Sequence, residues 1–234
     1  MKDIETRLRI LHKLFNKYSE QSEVYLHSEY LHKDIRSPKA VLEIVRETVN
    51  INSAIDIGCG LGSWLSVLID QGVNDVLGID GDHLPLDKIM IPEDKLLRTD
   101  LDKAYPEIGR KYDLAICLEV AEHLSPDSAG ALVKFLTGLS DAVLFSAAIP
   151  YQGGINHVNE QWTEYWREKF NQAGFEYYDL IRGRIWNSPD VKWWYKQNCF
   201  LVLKNDTFKG LEQKEILNLV HPELFLQYRI LNEK

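Results

Sequence analysis

The sequence has few cysteines, no long apolar segment and no excess of positive charge. Cys59, Cys117 and Cys199 are too few and too widely separated for a disulfide framework or a thiolate zinc site. No run approaches the ~20 consecutive apolar residues that a membrane-spanning helix needs. The N-terminal segment is charged throughout and lacks the apolar core of a signal peptide. The sequence therefore predicts a reduced, cytoplasmic protein with no membrane partner.

The charge balance argues against nucleic acid as a partner. The 234 residues include 27 Lys and Arg against 35 Asp and Glu, which gives a net charge of −8 at pH 7. An acidic surface repels phosphate backbones. Hydrophobic residues make up 45% of the chain, enough to bury a core of ordinary size. We therefore expect a folded domain that does not bind nucleic acid.

Between residues 51 and 204, short apolar runs alternate with amphipathic segments. Runs without strict polar alternation are typical of parallel strands that helices cover on both faces. The pattern predicts a doubly wound α/β sheet that is mostly parallel. The last two runs have no helical pattern between them and predict an antiparallel C-terminal hairpin. The runs are AIDI (54–57), VLGI (76–79), KLLR (95–98), LAICL (114–118), AVLFSAA (142–148), FEYYDLI (175–181) and NCFLVLK (198–204).

Helical patterns flank this core on both sides. Residues 1–35 are predicted to be helical from the apolar stripe of Ile4, Leu8, Leu11 and Leu14. Ser37-Pro38 predicts the N-cap and first residue of another helix that ends near Thr48. The C-terminal segment EILNLVHPELFLQYRIL predicts a helix interrupted at Pro222. The expected domains are an N-terminal helical cap (1–50), a core (51–204) and a C-terminal helical tail (205–234).

The clearest functional motif is AIDIGCGLGSW, an apolar strand followed by a glycine-rich turn and the start of a helix. Gly58, Gly60 and Gly62 would let the backbone turn sharply and approach a ligand. The dinucleotide fingerprint G-x-G-x-x-G needs a glycine where this chain has Ser63. Asp56, just before the turn, would repel a pyrophosphate and attract a cationic ligand. These features exclude a nicotinamide dehydrogenase.

At these residues the sequence resembles motif I of the class I S-adenosylmethionine-dependent methyltransferases, whose cofactor is cationic and has no phosphate. The resemblance covers about residues 52–204 and implies a Rossmann-like seven-stranded sheet. It also implies that Asp80 binds the ribose hydroxyls and that Asp100, beside Leu101, contacts the adenine. The predicted cofactor-binding residues are Asp56, Gly58, Gly60, Gly62, Asp80, Asp100, Leu101 and Glu119.

Two polar clusters follow the fourth and fifth predicted strands, where ligands of open α/β sheets bind. Glu119, Glu122 and His123 form E-x-x-E-H, which would share one face if the segment is helical. His157 lies in the second cluster, and adjacent strands would bring it near Glu122 and His123. Together these four residues would hold Mg²⁺, Mn²⁺ or Fe²⁺. Similar segments occur in metal-dependent small-RNA 2′-O-methyltransferases. His157 as a metal-free general base, with Glu122 and His123 beside it, and a purely structural His157 remain open.

Aromatic segments near both clusters bear on the methyl acceptor. The elements H-x-N-E-Q-W and WWYKQN resemble small bacterial methyltransferases encoded with surface-polysaccharide and capsule biosynthesis. At least one of the consecutive aromatics 193–195 would line a pocket, and Lys196 would face a phosphate. The resemblance implies O-methylation of a small polar acceptor, such as a sugar, nucleotide-sugar or phosphorylated polysaccharide precursor. This molecule would lie between loops 150–162 and 182–198.

Two other interpretations compete with this one. A metal-dependent RNA 2′-O-methyltransferase would share the same cluster, but the net charge of −8 and the lack of a basic stripe argue against it. A non-catalytic cofactor-binding protein of the same fold would not need the polar residues that follow the fourth and fifth strands.

Overall fold

The computed structural model describes residues 33–208, 210–211 and 215–225, which form one sheet with helices around it. The strands are β1 (Ser53–Ile57), β2 (Asp75–Asp80), β3 (Leu96–Arg98), β4 (Leu114–Leu118), β5 (Ala142–Ser146), β6 (Phe175–Tyr178) and β7 (Phe200–Lys204). The helices are α1 (Arg36–Arg46), α2 (Ser63–Asp70), α3 (Ala129–Leu139), α4 (Thr163–Gln172), α5 (Arg182–Ile185) and α6 (Trp193–Asn198). Short 3₁₀ turns span Leu86–Lys88, Glu93–Lys95 and Pro126–Ser128.

The seven strands follow the order β3-β2-β1-β4-β5-β7-β6. Strands β1 to β5 pair in parallel, whereas β7 runs antiparallel to both β5 and β6. The predicted doubly wound, mostly parallel sheet is therefore confirmed. The order of the strands in the sheet reverses between β1 and β4. Such a topological switch point opens the crevice in which α/β proteins bind ligands.

Helices cover the sheet on both faces, so its central strands are buried throughout. All five residues of β4 and of β5 are buried. One core cluster joins α1 and α2 to one face, and the other joins α3 and α4 to the opposite face. This two-sided burial explains why the strands read as continuous apolar runs.

The link between β6 and β7 differs from the prediction. Helices α5 and α6 lie between these strands, so the prediction that no helix separates them is wrong. With four and six residues, these helices are too short to produce a helical hydrophobic period. The antiparallel pairing itself is present, from Phe175 opposite Lys204 to Tyr178 opposite Leu201.

Some predicted helix boundaries also differ. Helix α1 begins at Arg36, so Ser37 lies inside it, and its hydroxyl accepts a hydrogen bond from the Lys192 N–H at 3.0 Å. Residues 215–221 are not helical, and helical structure begins at Pro222. Of the helix predicted over residues 1–35, residues 1–32 fall outside the described residues, and residues 33–35 are not helical. The division into three domains remains a prediction. Within the described part of the chain, no helix has the length and apolar character to cross a membrane.

Candidate active site

The turn after β1 requires its glycines for two reasons. Gly58, Gly60 and Gly62 have φ angles of 72°, 54° and 82°, a region that side chains other than glycine rarely adopt. A Cβ on Gly58 would lie 2.3 Å from a methyl carbon of Val120, and one on Gly62 would lie 2.9 Å from a methyl carbon of Ile91. The first contact packs the segment after β4 directly against the glycine turn.

Asp80, at the end of β2, holds the glycine turn in place. Its Oδ2 accepts a hydrogen bond from the Gly60 N–H at 2.7 Å, and its Oδ1 accepts one from the Gly81 N–H at 2.7 Å. The His83 Nε2 lies 3.5 Å from Oδ1. Each carboxylate oxygen has further lone-pair capacity. Asp80 therefore positions the turn while it can still accept hydrogen bonds from a ligand.

Asp56 is a buried carboxyl group beside Asp80. It is 2% exposed, and its Oδ2 accepts no hydrogen bond from the described residues. Burial, and secondly the negative charge of Asp80, raises the pKa of Asp56 well above its usual value. A cationic ligand nearby would compensate for this buried charge.

Replacing Asp56 with asparagine is expected to raise the melting temperature of the protein at neutral pH, because the amide does not ionise. Because the pKa of this carboxyl is raised in the folded state, its ionisation destabilises the fold once the pH exceeds the ordinary carboxyl value. The gain in melting temperature should therefore increase as the pH rises above about 4. Thermal unfolding across that range measures it. The exposed Asp70, replaced in the same way, should give no such trend, and a variant that is less stable at every pH would contradict the interpretation.

Asp100 and Leu101 follow β3 at the same edge of the sheet. The Asp100 carboxylate is exposed, lies 2.8 Å from the Lys103 Nζ and accepts a hydrogen bond from the Asp102 N–H at 3.1 Å. The bond from Lys103 lowers the pKa of Asp100. Leu101 packs against the core cluster that contains α3 and α4. The contact of Asp100 with adenine stays a prediction.

The segment after β4 is a turn, so the condition that it be helical is not met. Residues 121–123 form this turn, in which the His123 N–H donates to the Val120 carbonyl at 3.0 Å. Glu119, which precedes it, has a φ angle of 55°, which is strained for a residue other than glycine. Such strain is concentrated at functional sites in proteins.

The Glu119 carboxylate is held by two side-chain amides. It accepts hydrogen bonds from the Gln152 Nε2 at 2.8 Å and from the Asn198 Nδ2 at 3.2 Å. Burial raises the pKa of Glu119, and hydrogen bonds from Ser146, Asn198 and Gln152 oppose this shift. Gln152 lies after β5 and Asn198 ends α6, so three separate segments meet at this carboxylate. Neither amide was predicted as a site residue.

Glu122, His123 and His157 converge beyond the ends of β4 and β5. One ligand atom from each lies within 4.8 Å of the others. Glu122 is fully buried, and neither carboxylate oxygen accepts a hydrogen bond of ordinary geometry from the described residues. Burial, and then the charge of Glu119, raises the pKa of Glu122 well above its usual value. Burial lowers the pKa of His123 to about 4, with a further contribution from His157. Glu119, the fourth residue predicted for this cluster, is not part of it.

The loop that carries His157 is bonded to the turn after β4. The N–H groups of Val158 and Asn159 donate to the Glu122 carbonyl at 2.9 and 3.0 Å. The His157 Nδ1 lies 2.9 Å from a carboxylate oxygen of Glu160, a residue that the sequence analysis missed. Its spacing of three residues from the histidine is the signal that could have indicated it. These bonds place the His157 loop against the turn after β4, whose Val120 packs on Gly58.

The tryptophan-rich segment is packed more deeply than predicted. Lys196 is buried, and its Nζ lies 3.4 Å from the Glu223 carboxylate, so the prediction that it faces a phosphate is wrong for this structure. Tyr195 packs edge-on against Trp64 with ring centroids 5.3 Å apart. Exposed apolar side chains lie instead on the His157 loop and at its end. They are Tyr151, Val158 and Trp162, with 75%, 61% and 40% of their surface exposed.

A family model described as a methyltransferase domain matches residues 10–200 of the chain. The chain belongs to this methyltransferase family. A curated relative, magnesium-protoporphyrin O-methyltransferase of Synechocystis sp., is 30% identical over 105 residues, which are 43% of this chain and 45% of that protein. The match therefore spans less than half the length of that relative.

Two solved structures share the fold of this chain. Streptomyces venezuelae DesVI is 15% identical and has a TM-score of 0.55. The match covers 75% of this chain and 94% of that one. The plantazolicin methyltransferase BpumL, in complex with a substrate analogue and SAH, is 14% identical, with a TM-score of 0.53 and coverage of 83% and 90%. The predicted Rossmann-like methyltransferase fold and family are confirmed. The narrower resemblance to polysaccharide-cluster enzymes stays a prediction.

Proposed function

We propose that this methyltransferase transfers the methyl group of S-adenosylmethionine to a hydroxyl of a small polar acceptor, with His157 as the general base. The observation that carries the proposal is the position of His157. Its imidazole lies beyond the ends of β4 and β5, beside Glu122 and His123, and its Nδ1 is hydrogen-bonded to a carboxylate. An imidazole held in this way is suited to accept a proton.

The cofactor assignment rests on the edge of the sheet formed by β1 and β2. The glycine turn presents backbone N–H groups at the start of α2, and Asp56 supplies a buried negative charge that the ammonium and sulfonium would balance. Asp80 ends β2 beside this turn, in position to accept hydrogen bonds from the ribose. The SAH bound in BpumL supports the same class of cofactor.

Methyl transfer needs alignment more than activation, because the sulfonium methyl is already electrophilic. The acceptor oxygen attacks the methyl carbon in line with the sulfur, the carbon–sulfur bond breaks, and SAH leaves. The hydroxyl proton passes to the Nε2 of His157. Glu160 keeps the imidazole in position through Nδ1.

The acceptor is proposed from the surface around His157. Tyr151, Val158 and Trp162 present exposed apolar surface on or at the end of its loop. Flat aromatic side chains stack on sugar rings and on bases. We therefore propose a sugar, a nucleotide-sugar or a phosphorylated polysaccharide precursor as the acceptor, bound against loop 150–162. Lys196 does not contribute the phosphate contact, because it is paired with Glu223.

A second role for the same cluster is a divalent cation site. Glu122 provides a buried carboxylate, and His123 and His157 provide two imidazoles. This set suits Mn²⁺ or Fe²⁺ better than Mg²⁺, which prefers oxygen ligands. A cation there would act as a Lewis acid towards the acceptor hydroxyl. The RNA 2′-O-methyltransferase alternative depends on such a cation.

The acceptor class is tested by a screen with labelled S-adenosylmethionine. Nucleotide sugars, sugar phosphates, free sugars and short RNAs are offered separately at equal concentration. We expect label in a sugar-containing product. Methylation confined to RNA would overturn the proposed acceptor class, and label in no product at any protein concentration would favour the non-catalytic alternative.

The cation is tested on the same reaction after treatment with EDTA. With His157 as a metal-free base, full activity should persist in EDTA, and metal analysis of protein purified without chelator should find less than one ion per chain. Loss of activity that Mn²⁺ restores would assign the cluster to a cation instead. Replacing Glu122 with glutamine would then abolish the restoration.

A further inference from the structure

The Glu160 carboxylate joins three donors of the loop between β5 and α4. Its Oε2 accepts a hydrogen bond from the Tyr151 N–H at 2.8 Å. Its Oε1 accepts one from the Gly153 N–H at 2.8 Å and lies 2.9 Å from the His157 Nδ1. One side chain therefore closes the loop from residue 151 to residue 160 and contacts the histidine from within it.

The third contact fixes the tautomer of His157. An ionised carboxylate can only accept hydrogen bonds, so the Nδ1 of His157 must carry the proton that is shared with Glu160. In the neutral imidazole, the lone pair then lies on Nε2. Only this tautomer leaves Nε2, the nitrogen that is not bonded to Glu160, able to take a proton from an acceptor hydroxyl.

The ring itself has little room to rotate. A Cβ on Gly154 would lie 2.2 Å from the His157 Nε2, so the imidazole rests directly on the Gly154 backbone. On another side the His123 ring meets it edge-on, with centroids 4.8 Å apart and planes at 87°. His123 is in turn hydrogen-bonded to the Asn156 backbone. Three contacts, from Glu160, Gly154 and His123, therefore define the orientation of the ring.

The loop backbone is strained where Glu160 holds it. Tyr151, Gly153 and Asn156 have φ angles of 68°, 71° and 58°. Glycine adopts such angles without strain, whereas Tyr151 and Asn156 keep them only where other contacts compensate. Two of the three donors to Glu160 are N–H groups within this segment. The Glu160 carboxylate is therefore the contact that compensates for the strain of the loop backbone.

We propose that Glu160 is a positioning residue of the active site, whose carboxylate orders loop 151–160 and holds His157 as the Nδ1–H tautomer, with Nε2 as the basic nitrogen. The role of Nε2 as the base rests on the proposed function, whereas the tautomer follows from the contact with Glu160 alone. The inference deepens that function by adding a residue that acts through His157. Both carboxylate oxygens of Glu160 contact hydrogen-bond donors of the loop. Its exposed neighbour Glu164 instead pairs with Arg167 at 3.4 Å.

The test combines nitrogen NMR of the imidazoles with kinetics. Protein labelled with ¹⁵N-histidine is measured at alkaline pH, where the rings are neutral, and the His157 signal is identified by its absence from the His157→Asn spectrum. We expect the Nδ1–H pattern in the wild type and a mixture of tautomers in Glu160→Ala. The kcat of Glu160→Ala should fall roughly 10- to 100-fold, the usual cost of losing a carboxylate that orients a functional imidazole.

The Glu160→Gln variant tests whether the tautomer of His157 depends on the hydrogen bond to residue 160 or on the negative charge of its carboxylate. With its single carbonyl oxygen towards Gly153 and His157, the amide preserves both bonds at Oε1, so the tautomer should persist and kcat should fall less than in Glu160→Ala. Cofactor affinity should change less than about twofold in both variants, and Glu164→Gln should match the wild type throughout. An Nε2–H pattern in the wild type, or an unchanged tautomer and kcat in Glu160→Ala, would overturn the proposal. If His157→Ala keeps its kcat while the tautomer follows Glu160, the proposed base is wrong and the positioning contact stands.

Discussion

Replacing Asp80 with alanine is expected to weaken the binding of S-adenosylmethionine by ~10²- to 10⁴-fold. Two charge-assisted hydrogen bonds to the ribose, each worth about 1.5–3 kcal/mol, would be lost. The substitution also releases the Gly60 N–H, which donates a hydrogen bond to the Asp80 carboxylate at 2.7 Å. The loss therefore combines missing contacts with a less ordered glycine turn. Calorimetric titration with S-adenosylmethionine and with SAH measures it.

Two further variants separate these contributions. Asp80→Asn keeps one carbonyl oxygen that can accept from Gly60, so it should bind the cofactor more tightly than the alanine variant but more weakly than the wild type. Asp82→Ala removes an exposed carboxylate that lies 3.4 Å from Arg98, and it should bind like the wild type. Wild-type affinity in Asp80→Ala would show that this residue does not bind the ribose.

Hydrophobic patterns predicted the sheet because its strands are covered on both faces. The runs at 54–57, 114–118 and 142–148 are apolar almost throughout, and the structure buries them between two helical layers. The same reasoning missed α5 and α6, because helices of four and six residues do not repeat a hydrophobic pattern. The position of Ser37 was misread for another reason: its hydroxyl bonds residues 190 and 192, which no local motif reveals.

Parallel topology explains why the candidate site was largely predictable. Polar residues that follow neighbouring strands meet at one edge of the sheet, so Glu122, His123 and His157 could be expected together. The side-chain partners were not predictable, since they depend on how loops of different lengths fold over that edge. Glu119 was expected in the same cluster, but amides from Gln152 and Asn198 hold its carboxylate.

Replacing His157 with alanine is expected to lower kcat by ~10²- to 10⁴-fold, which is the usual contribution of a general base. An acceptor hydroxyl loses its proton with difficulty near neutral pH, and the alanine variant has no group at this position to take it. Cofactor affinity should barely change, because His157 lies beyond the ends of β4 and β5 rather than against the glycine turn. Steady-state kinetics on the acceptor found by the labelling screen, with calorimetry of cofactor binding, measure both quantities.

His157→Asn is the matched variant for this experiment. The asparagine amide can still donate to the Glu160 carboxylate, as Nδ1 does at 2.9 Å, so the loop keeps its order while the proton acceptor is lost. Both variants should therefore show the same fall in kcat if His157 is the base. A large fall in the alanine variant alone would assign His157 to loop structure, since only the contact with Glu160 separates the two. An unchanged kcat in both would remove His157 from the chemistry, and Glu122 would then be the next residue to replace.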